Sequence, residues 1–190
     1  MERSVFSQIL WRYAALEREV QLLISSRFST ICELCPSCCC RTDICEEAFD
    51  SAFLKRLHGQ ERRSVSFSDR YGWLTERGCG LTLGRPPVCY EFFCDELLAV
   101  QPDDTHRYLL HLLGKLVSYV GKNAVGHSHL VEITDDTDLD RMSLEPFKER
   151  LHQAHAALEH VRFFYDNGFL DDHAIEQFRP ILRPPAELNV

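Results

Sequence analysis

CELCPSCCCRTDIC, residues 32–45, contains six of the nine cysteines of the chain within fourteen positions. Pro36 and Ser37 interrupt any helical or strand periodicity there, which favours a loop wrapped around a bound group. The other three cysteines, Cys79, Cys89 and Cys94, lie in a second stretch that is rich in glycine and proline. We therefore expect one site, or two neighbouring sites, built from both segments.

The spacing of the first segment favours thiolate ligation of a metal. Cys32, Cys35 and Cys38 form a CxxCxxC pattern, in which a short turn of backbone directs several sulfurs to one point, as zinc knuckles and ferredoxin-type iron–sulfur loops require. One zinc ion or one four-iron cluster uses about four cysteines, so the chain has enough thiols for one or two centres. Thiolates suit zinc and iron–sulfur clusters alike, and the spacing leaves the metal open.

Two other interpretations of the cysteines compete with metal binding. Free cysteines are often buried as small hydrophobic residues, but six within fourteen positions is a density that packing does not require. A disulfide framework is disfavoured by the odd number of cysteines and by the charged N-terminal residues, which lack the apolar core of a secretion signal. Free thiols indicate a reducing compartment, and we expect the cytoplasm.

The two segments resemble a known family, the zinc- or iron-chelating cysteine-cluster proteins of the YkgJ type, which carry a CxxCxxCC motif. The second half of the family pattern is matched here by Leu74, Gly78-Cys79, Arg85-Pro86, Cys89 and Phe93-Cys94. The resemblance therefore covers residues 32–94, about a third of the chain. Family members have one more cysteine three residues before the leucine, where this chain has Tyr71; Cys40 or Cys45 is the candidate substitute. Taken with the spacing, the resemblance implies metal ligands at Cys32, Cys35, Cys38, Cys39, Cys79, Cys89 and Cys94.

Apolar residues recur at three- and four-residue intervals over most of the remaining chain, which predicts a mainly α-helical fold packed around an irregular, cysteine-rich metal-binding core. We expect helices over residues 2–27, after Asp43 to Gly59, from Asp103 or Asp104 to Gly121, and over residues 143–167. HLVEIT is β-like, and the acidic DDTDLD resembles a solvated loop. A single domain over 1–190 would comprise an N-terminal helix (1–29), the metal-binding core (30–98), a helical portion (99–180) and a tail (181–190).

Several secondary features each have a simpler alternative. Cys45 is expected in the first turn of the second helix, where N–H groups would favour a thiolate, or as a half-buried helix residue. Arg85 is expected to donate to thiolates or to act as a turn residue before proline. His127 and His129 are more simply surface residues than a metal pair, and the aspartates of 135–140 lack the glycine and glutamate of a calcium loop.

Composition and motifs limit the function. The net charge of −8 disfavours nucleic acid as a partner, and no segment reaches the length of a membrane span. Common hydrolase, nucleotide-binding and metalloprotease motifs are missing from the sequence. We expect a metal-binding protein, with two alternatives. One is an iron–sulfur or metal-dependent enzyme acting on a protein, since flagellin lysine N-methylases are similar in their cysteine cluster. The other is a metal-stapled interaction protein that pairs with a partner or a second copy through Phe6, Tyr13 and Val20, unless these residues pack onto their own domain.

Overall fold

A computed structural model of the chain describes residues 5–34, 41–59, 67–75, 78–142 and 144–185. The described chain is mainly helical, as the sequence predicts. The elements in chain order are α1 (Val5–Leu34), α2 (Thr42–Asp50), α3 (Ala52–His58), β1 (Leu74–Thr75), β2 (Gly78–Cys79), α4 (Val88–Glu91), α5 (Asp95–Ala99), α6 (Asp104–Gly121), a 3-10 helix (Leu130–Glu132), α7 (Asp136–Leu139), α8 (Leu144–Asn167) and α9 (Asp172–Phe178). β1 and β2 pair antiparallel, with Leu74 opposite Cys79.

Helix α6 lies at the centre of the described fold. It is apolar on most of its circumference, and Leu109, Leu112, Leu113 and Leu116 have no exposed surface. A helix that is hydrophobic all round has to be covered on several sides. Helices α1, α4 and α8 all pack against it. The Asp103 side chain caps its first turn by accepting from the backbone N–H of His106, which confirms one of the two predicted caps.

Helix α8 matches its predicted bounds closely. Its apolar residues Phe147, Leu151, Ala154, Leu158 and Val161 are buried along one face. Gly168 follows the last residue with φ of 71°, a left-handed conformation that glycine adopts without strain, and it donates to the carbonyl of Phe164. The predicted C-terminal stop is confirmed.

Helix α1 continues to Leu34, seven residues beyond the predicted end, and therefore includes Cys32. The extension has a packing reason, because Phe28 is buried against Leu97 and Leu110. The prediction that residue 32 already belongs to a loop was wrong. The pairing of α1 through Phe6, Tyr13 and Val20 is also not supported, since Tyr13 and Val20 are fully buried in the chain's own core and Phe6 packs against it.

The second predicted helix is two helices with a break at Ser51. The Ser51 backbone is extended, and its hydroxyl accepts from the N–H of Leu54, so it caps α3. Asp43 is not the N-cap of α2; it lies in the first turn and pairs with the Arg41 side chain. Two further predictions failed in residues 129–142: HLVEIT contains a 3-10 helix rather than a strand, and DDTDLD contains α7, which Asp135 caps.

No helix of the described residues is both long enough and apolar enough to cross a bilayer.

Candidate functional site

The structure describes the side chains of four of the nine cysteines. Cys45 lies in α2, Cys79 in β2, Cys89 in α4, and Cys94 is the residue that precedes α5. Cys32 lies in the last turns of α1, as a backbone position only. The predicted ligands Cys35, Cys38 and Cys39, together with Cys40, lie outside the described residues.

Cys79 and Cys94 are half-buried and Cys89 is exposed. Within the described ranges, no three His, Cys, Asp or Glu side chains converge in a way that could hold a metal ion. The described thiols therefore do not complete a metal site by themselves. A site of the predicted kind would need donors from Cys32 or from residues 35–40, whose side chains lie outside the described set, so the ligand set remains a prediction.

Cys45 belongs to the hydrophobic core. It is 7% exposed, and its N–H already donates to the Arg41 carbonyl within the helix. A Cβ built on Gly72 would lie 2.7 Å from the Cys45 sulfur. The thiol is therefore packed directly against Gly72, two residues before β1. The described geometry favours a packed core residue over a helix-end thiolate.

A buried carboxylate joins α1 to the second cysteine segment. Glu17 has no exposed surface. Its Oε2 accepts from the Gly84 N–H at 2.9 Å, and its Oε1 accepts from the Arg85 N–H and from the Tyr90 hydroxyl, each at 2.9 Å. Three donors from the turn between Cys79 and Cys89 and from α4 thus converge on one side chain of the helix that leads into the CxxCxxCC motif.

Burial raises the pKa of Glu17 from an ordinary value of 4.5 to about 7, because the low-polarity surroundings disfavour the charged form. The hydrogen bonds from Gly84, Arg85 and Tyr90 and the charge of Arg85 act in the opposite direction and limit the rise. Burial and the Glu17 charge also raise the pKa of Tyr13, one turn earlier in α1, well above its usual value. Near neutral pH, Glu17 is divided between its two protonation states.

Arg85 holds the turn from the other side. Its guanidinium donates to the Leu81 carbonyl at 2.7 Å and lies 3.5 Å from the Cys79 carbonyl oxygen. These contacts are with backbone carbonyls and not with sulfur, so the predicted donation to thiolates is not what the described contacts show. Gln21, one turn after Glu17, donates to the Thr82 carbonyl and to the Tyr90 hydroxyl.

Helix α6 clamps the other end of the cysteine segment. A Cβ built on Gly114 would lie 2.5 Å from the Tyr90 carbonyl oxygen and 2.8 Å from the Phe93 ring, a separation that real side chains do not reach. Only glycine permits α4 and the residues after it to approach this closely. Lys115 also forms an ion pair with Glu91. The stretch from Cys89 to Cys94 is therefore held between α1 and α6.

A small apolar cluster brings Cys94 towards the end of α1. Cys94 packs against Phe28, Leu97 and Leu110. Cys32 follows Phe28 by four residues, one helical turn, so its backbone lies about 6 Å farther along the same face of α1. The structure thus places the last cysteine of the second segment against the α1 residue that lies one turn before Cys32.

No protein-family model, curated protein or solved structure that was compared with the chain matches it. The resemblance to the cysteine-cluster proteins therefore stays a prediction from the quoted residues.

Sequence reasoning missed Glu17 as a functional candidate, although the signal was present. Glu17 lies four residues after Tyr13 and three before Val20, on the apolar stripe of α1, where a charged residue requires a buried partner. Among the histidines, His129 accepts from the Val131 N–H and contacts the Ser118 carbonyl, while His127 is exposed. The prediction of a surface residue is therefore confirmed for His127, whereas His129 is half-buried and caps the 3-10 helix.

Proposed function

We propose that the chain binds zinc or iron, with an iron–sulfur cluster as the redox-active form, through thiolates of the two cysteine segments. The observation that carries the proposal is the set of hydrogen bonds that Glu17 accepts from Gly84, Arg85 and Tyr90. It fixes the backbone between Cys79 and Cys89 to the helix that runs directly into the CxxCxxCC motif. Such an anchor favours a cysteine cage drawn from segments far apart in sequence, because it restricts the separation of the two segments and lowers the entropic cost of gathering the ligands around the ion.

The cluster of Phe28, Leu97 and Leu110 supports the same proposal from the other end, because it keeps Cys94 near the last turns of α1. A thiolate-bound ion between the segments would cross-link them and add its binding free energy to folding. Among the four described thiols, Cys45 is the least suited to such a role, given its place in the apolar core.

Metal analysis of anaerobically purified, reduced full-length protein tests the proposal. If the metal is zinc, we expect one or two zinc atoms per chain. If an iron–sulfur cluster is present, we expect iron together with a matching amount of sulfide. Cys89→Ser and Cys94→Ser are expected to lose metal because each removes a proposed ligand. Cys45→Ser is the matched control, and we expect it to keep its metal although it places a hydroxyl in the core.

The absorption spectrum of the same sample separates the alternatives. Broad absorption near about 400 nm with stoichiometric iron and sulfide would favour the enzyme alternative that resembles flagellin lysine N-methylase. A colourless zinc protein would favour a structural or metal-handling role. Folded, reduced protein that contains neither metal, or metal loss in Cys45→Ser alone, would contradict the proposed ligand set.

A further inference from the structure

We propose that the outward face of α1 is a docking surface for an amphipathic helix of a partner protein, which places an acidic residue against Arg18. This docking face consists of five residues that follow one another at steps of four and three along the helix: Trp11, Ala15, Arg18, Leu22 and Ser25. Such steps place side chains on one side of an α-helix, and they are the spacing with which two helices interlock. Protein binding at this face is independent of the metal site.

Two large apolar side chains of the docking face are exposed to water. Trp11 is 54% exposed and Leu22 is 68% exposed, whereas the opposite side of α1 buries Tyr13, Leu16 and Val20 in the core. At 1.5 Å per residue, Trp11 and Leu22 lie about 17 Å apart along the helix axis, or three turns. Single exposed apolar residues are common, but two on one helical stripe match the way in which a second helix makes contact.

The positive charge of the docking face has no counterpart within the described chain. Arg18 is exposed, and so is Arg12 beside the stripe. Neither forms an ion pair or a side-chain hydrogen bond with another described residue. Between residues 6 and 29, α1 has two carboxylates, of which Glu17 is buried and Glu19 forms an ion pair with α8. Although acidic side chains outnumber basic ones by 29 to 21, both arginines therefore stay open to carboxylates of another molecule.

A shallow pocket beside Leu22 can receive a side chain of the partner. It has a volume of about 250 Å³ and is lined by Arg18, Gln21, Leu22, Ser25 and Thr82. Gln21 donates to the Thr82 carbonyl at 3.0 Å, which holds the far wall of the pocket next to α1. A guanidinium beside hydroxyl groups suits a carboxylate, because the guanidinium supplies paired N–H donors and each hydroxyl can donate as well. We assign the acidic residue of the partner helix to this pocket.

A second copy of the chain does not suit the docking face, because it would bring like charges together. In a parallel pair of these faces, each Arg18 would lie opposite its own copy. In an antiparallel pair with Trp11 opposite Leu22, the two Arg18 residues would lie about 4.5 Å apart along the axis, less than one turn. Like charges at such positions destabilise a helix pair, whereas carboxylates of a different protein would be attracted.

The size of the docking face indicates a weak, transient complex. It covers about four turns of one helix, which is at the small end of protein interfaces. We therefore expect dissociation constants in the micromolar range. Affinity should fall as salt is added, because exposed charges are screened beyond about 8 Å at physiological ionic strength.

Selection of random peptides on the full-length chain tests the docking face. The probe is a phage-displayed library of peptides of about 16 residues, long enough for four helical turns. We expect the enriched peptides to carry Asp or Glu together with apolar residues at helical spacing. Synthetic copies of these peptides should reduce the quenching of Trp11 fluorescence by acrylamide. Trp73, the other tryptophan, is 8% exposed and contributes little to the quenching.

Two substitutions at exposed positions test the docking face without disturbing the core. Arg18→Glu should weaken peptide binding about tenfold or more, because it replaces the central positive charge by a charge that repels the peptide. Leu22→Ser should weaken it several-fold by removing an apolar contact. Lys55→Glu and Phe169→Ser are the matched controls, since both side chains are exposed and neither lies on α1. We expect both controls to bind like the wild type.

Four results would overturn the docking face. The first is a selection that enriches no acidic peptides. The second is peptide binding that survives both Arg18→Glu and Leu22→Ser. The third is a wild-type dimer in sedimentation equilibrium that Leu22→Ser dissociates, because a second copy would then cover the face. The fourth is binding of phosphatidylglycerol vesicles that Arg18→Glu abolishes while acidic peptides do not compete, which would assign the face to an anionic membrane.

Metal content measured on the same protein separates the docking face from the proposed function. Protein that binds the acidic peptides as expected but contains neither zinc nor iron would refute the metal site and leave the docking face intact. Protein that contains metal but fails the peptide test would do the reverse.

Discussion

Gly114→Ala is expected to lower the free energy of unfolding by about 1–3 kcal/mol, the usual range for overpacking a well-filled site. The added methyl group would meet the Tyr90 carbonyl oxygen, the Phe93 ring and, at 3.2 Å, the Glu91 Cα. Two of these three atoms are backbone and cannot rotate away. Relief therefore requires the segment between Cys89 and Cys94 to move off α6. Urea denaturation followed by circular dichroism measures the change.

Gly59→Ala is the matched control for that experiment. Gly59 has φ of −63°, and among the described residues a Cβ there would meet only the Lys55 and Arg56 carbonyl oxygens, at 3.6 and 3.7 Å. The same substitution should leave the protein unchanged or stabilise it by about 0.4–1 kcal/mol, because it restricts the unfolded chain. Equal effects at the two positions would mean that α6 does not clamp the cysteine segment. Metal content measured on Gly114→Ala would further show whether the displacement reaches the thiols.

The long helices are the part of the fold that the sequence predicts well. In α6 the apolar period and the Asp103 cap agree with the prediction, and in α8 the apolar period and the stop at Gly168 agree with it. Local signals of this kind act within one turn of the chain, so they are readable without the fold.

The failures arise where a distant partner decides. Apolar spacing continues through Ser51 without interruption, yet the chain breaks there because the Ala52 N–H donates to the Ile133 carbonyl, eighty-one residues away. At His129, the side chain and the Glu132 carboxylate form reciprocal caps that favour a 3-10 turn over the strand that the β-branched residues suggest. Neither outcome is contained in the hydrophobic pattern.

The candidate site divides in the same way. The thiol spacing of residues 32–39 is a local property and suffices to suggest a metal. The placement of the second cysteine segment beside α1 depends on the contact between Glu17 and a turn sixty-seven positions later. Only the fold reveals that contact. Arg85 illustrates the limit, since its charge suggested sulfur as a partner and its described contacts are carbonyl oxygens.

Glu17 is also expected to give the whole protein a pH-dependent stability. Its pKa is about 7 in the folded chain and 4.5 when exposed, so the folded state holds an extra proton between these values. A folded-state pKa above the unfolded value means that stability is full below about pH 4.5 and is lost as pH rises to 7. The expected loss is about 3 kcal/mol, because each tenfold difference in proton affinity between the folded and unfolded chain corresponds to about 1.4 kcal/mol.

The measurement compares wild type with Glu17→Gln by urea denaturation at pH 5, 6, 7 and 8, because the difference between the two isolates Glu17 from every other titrating group. The wild type should lose stability relative to the variant up to about pH 7 and no further above it. The opposite slope would show that hydrogen bonds from Gly84, Arg85 and Tyr90 outweigh desolvation and hold the folded-state pKa below 4.5.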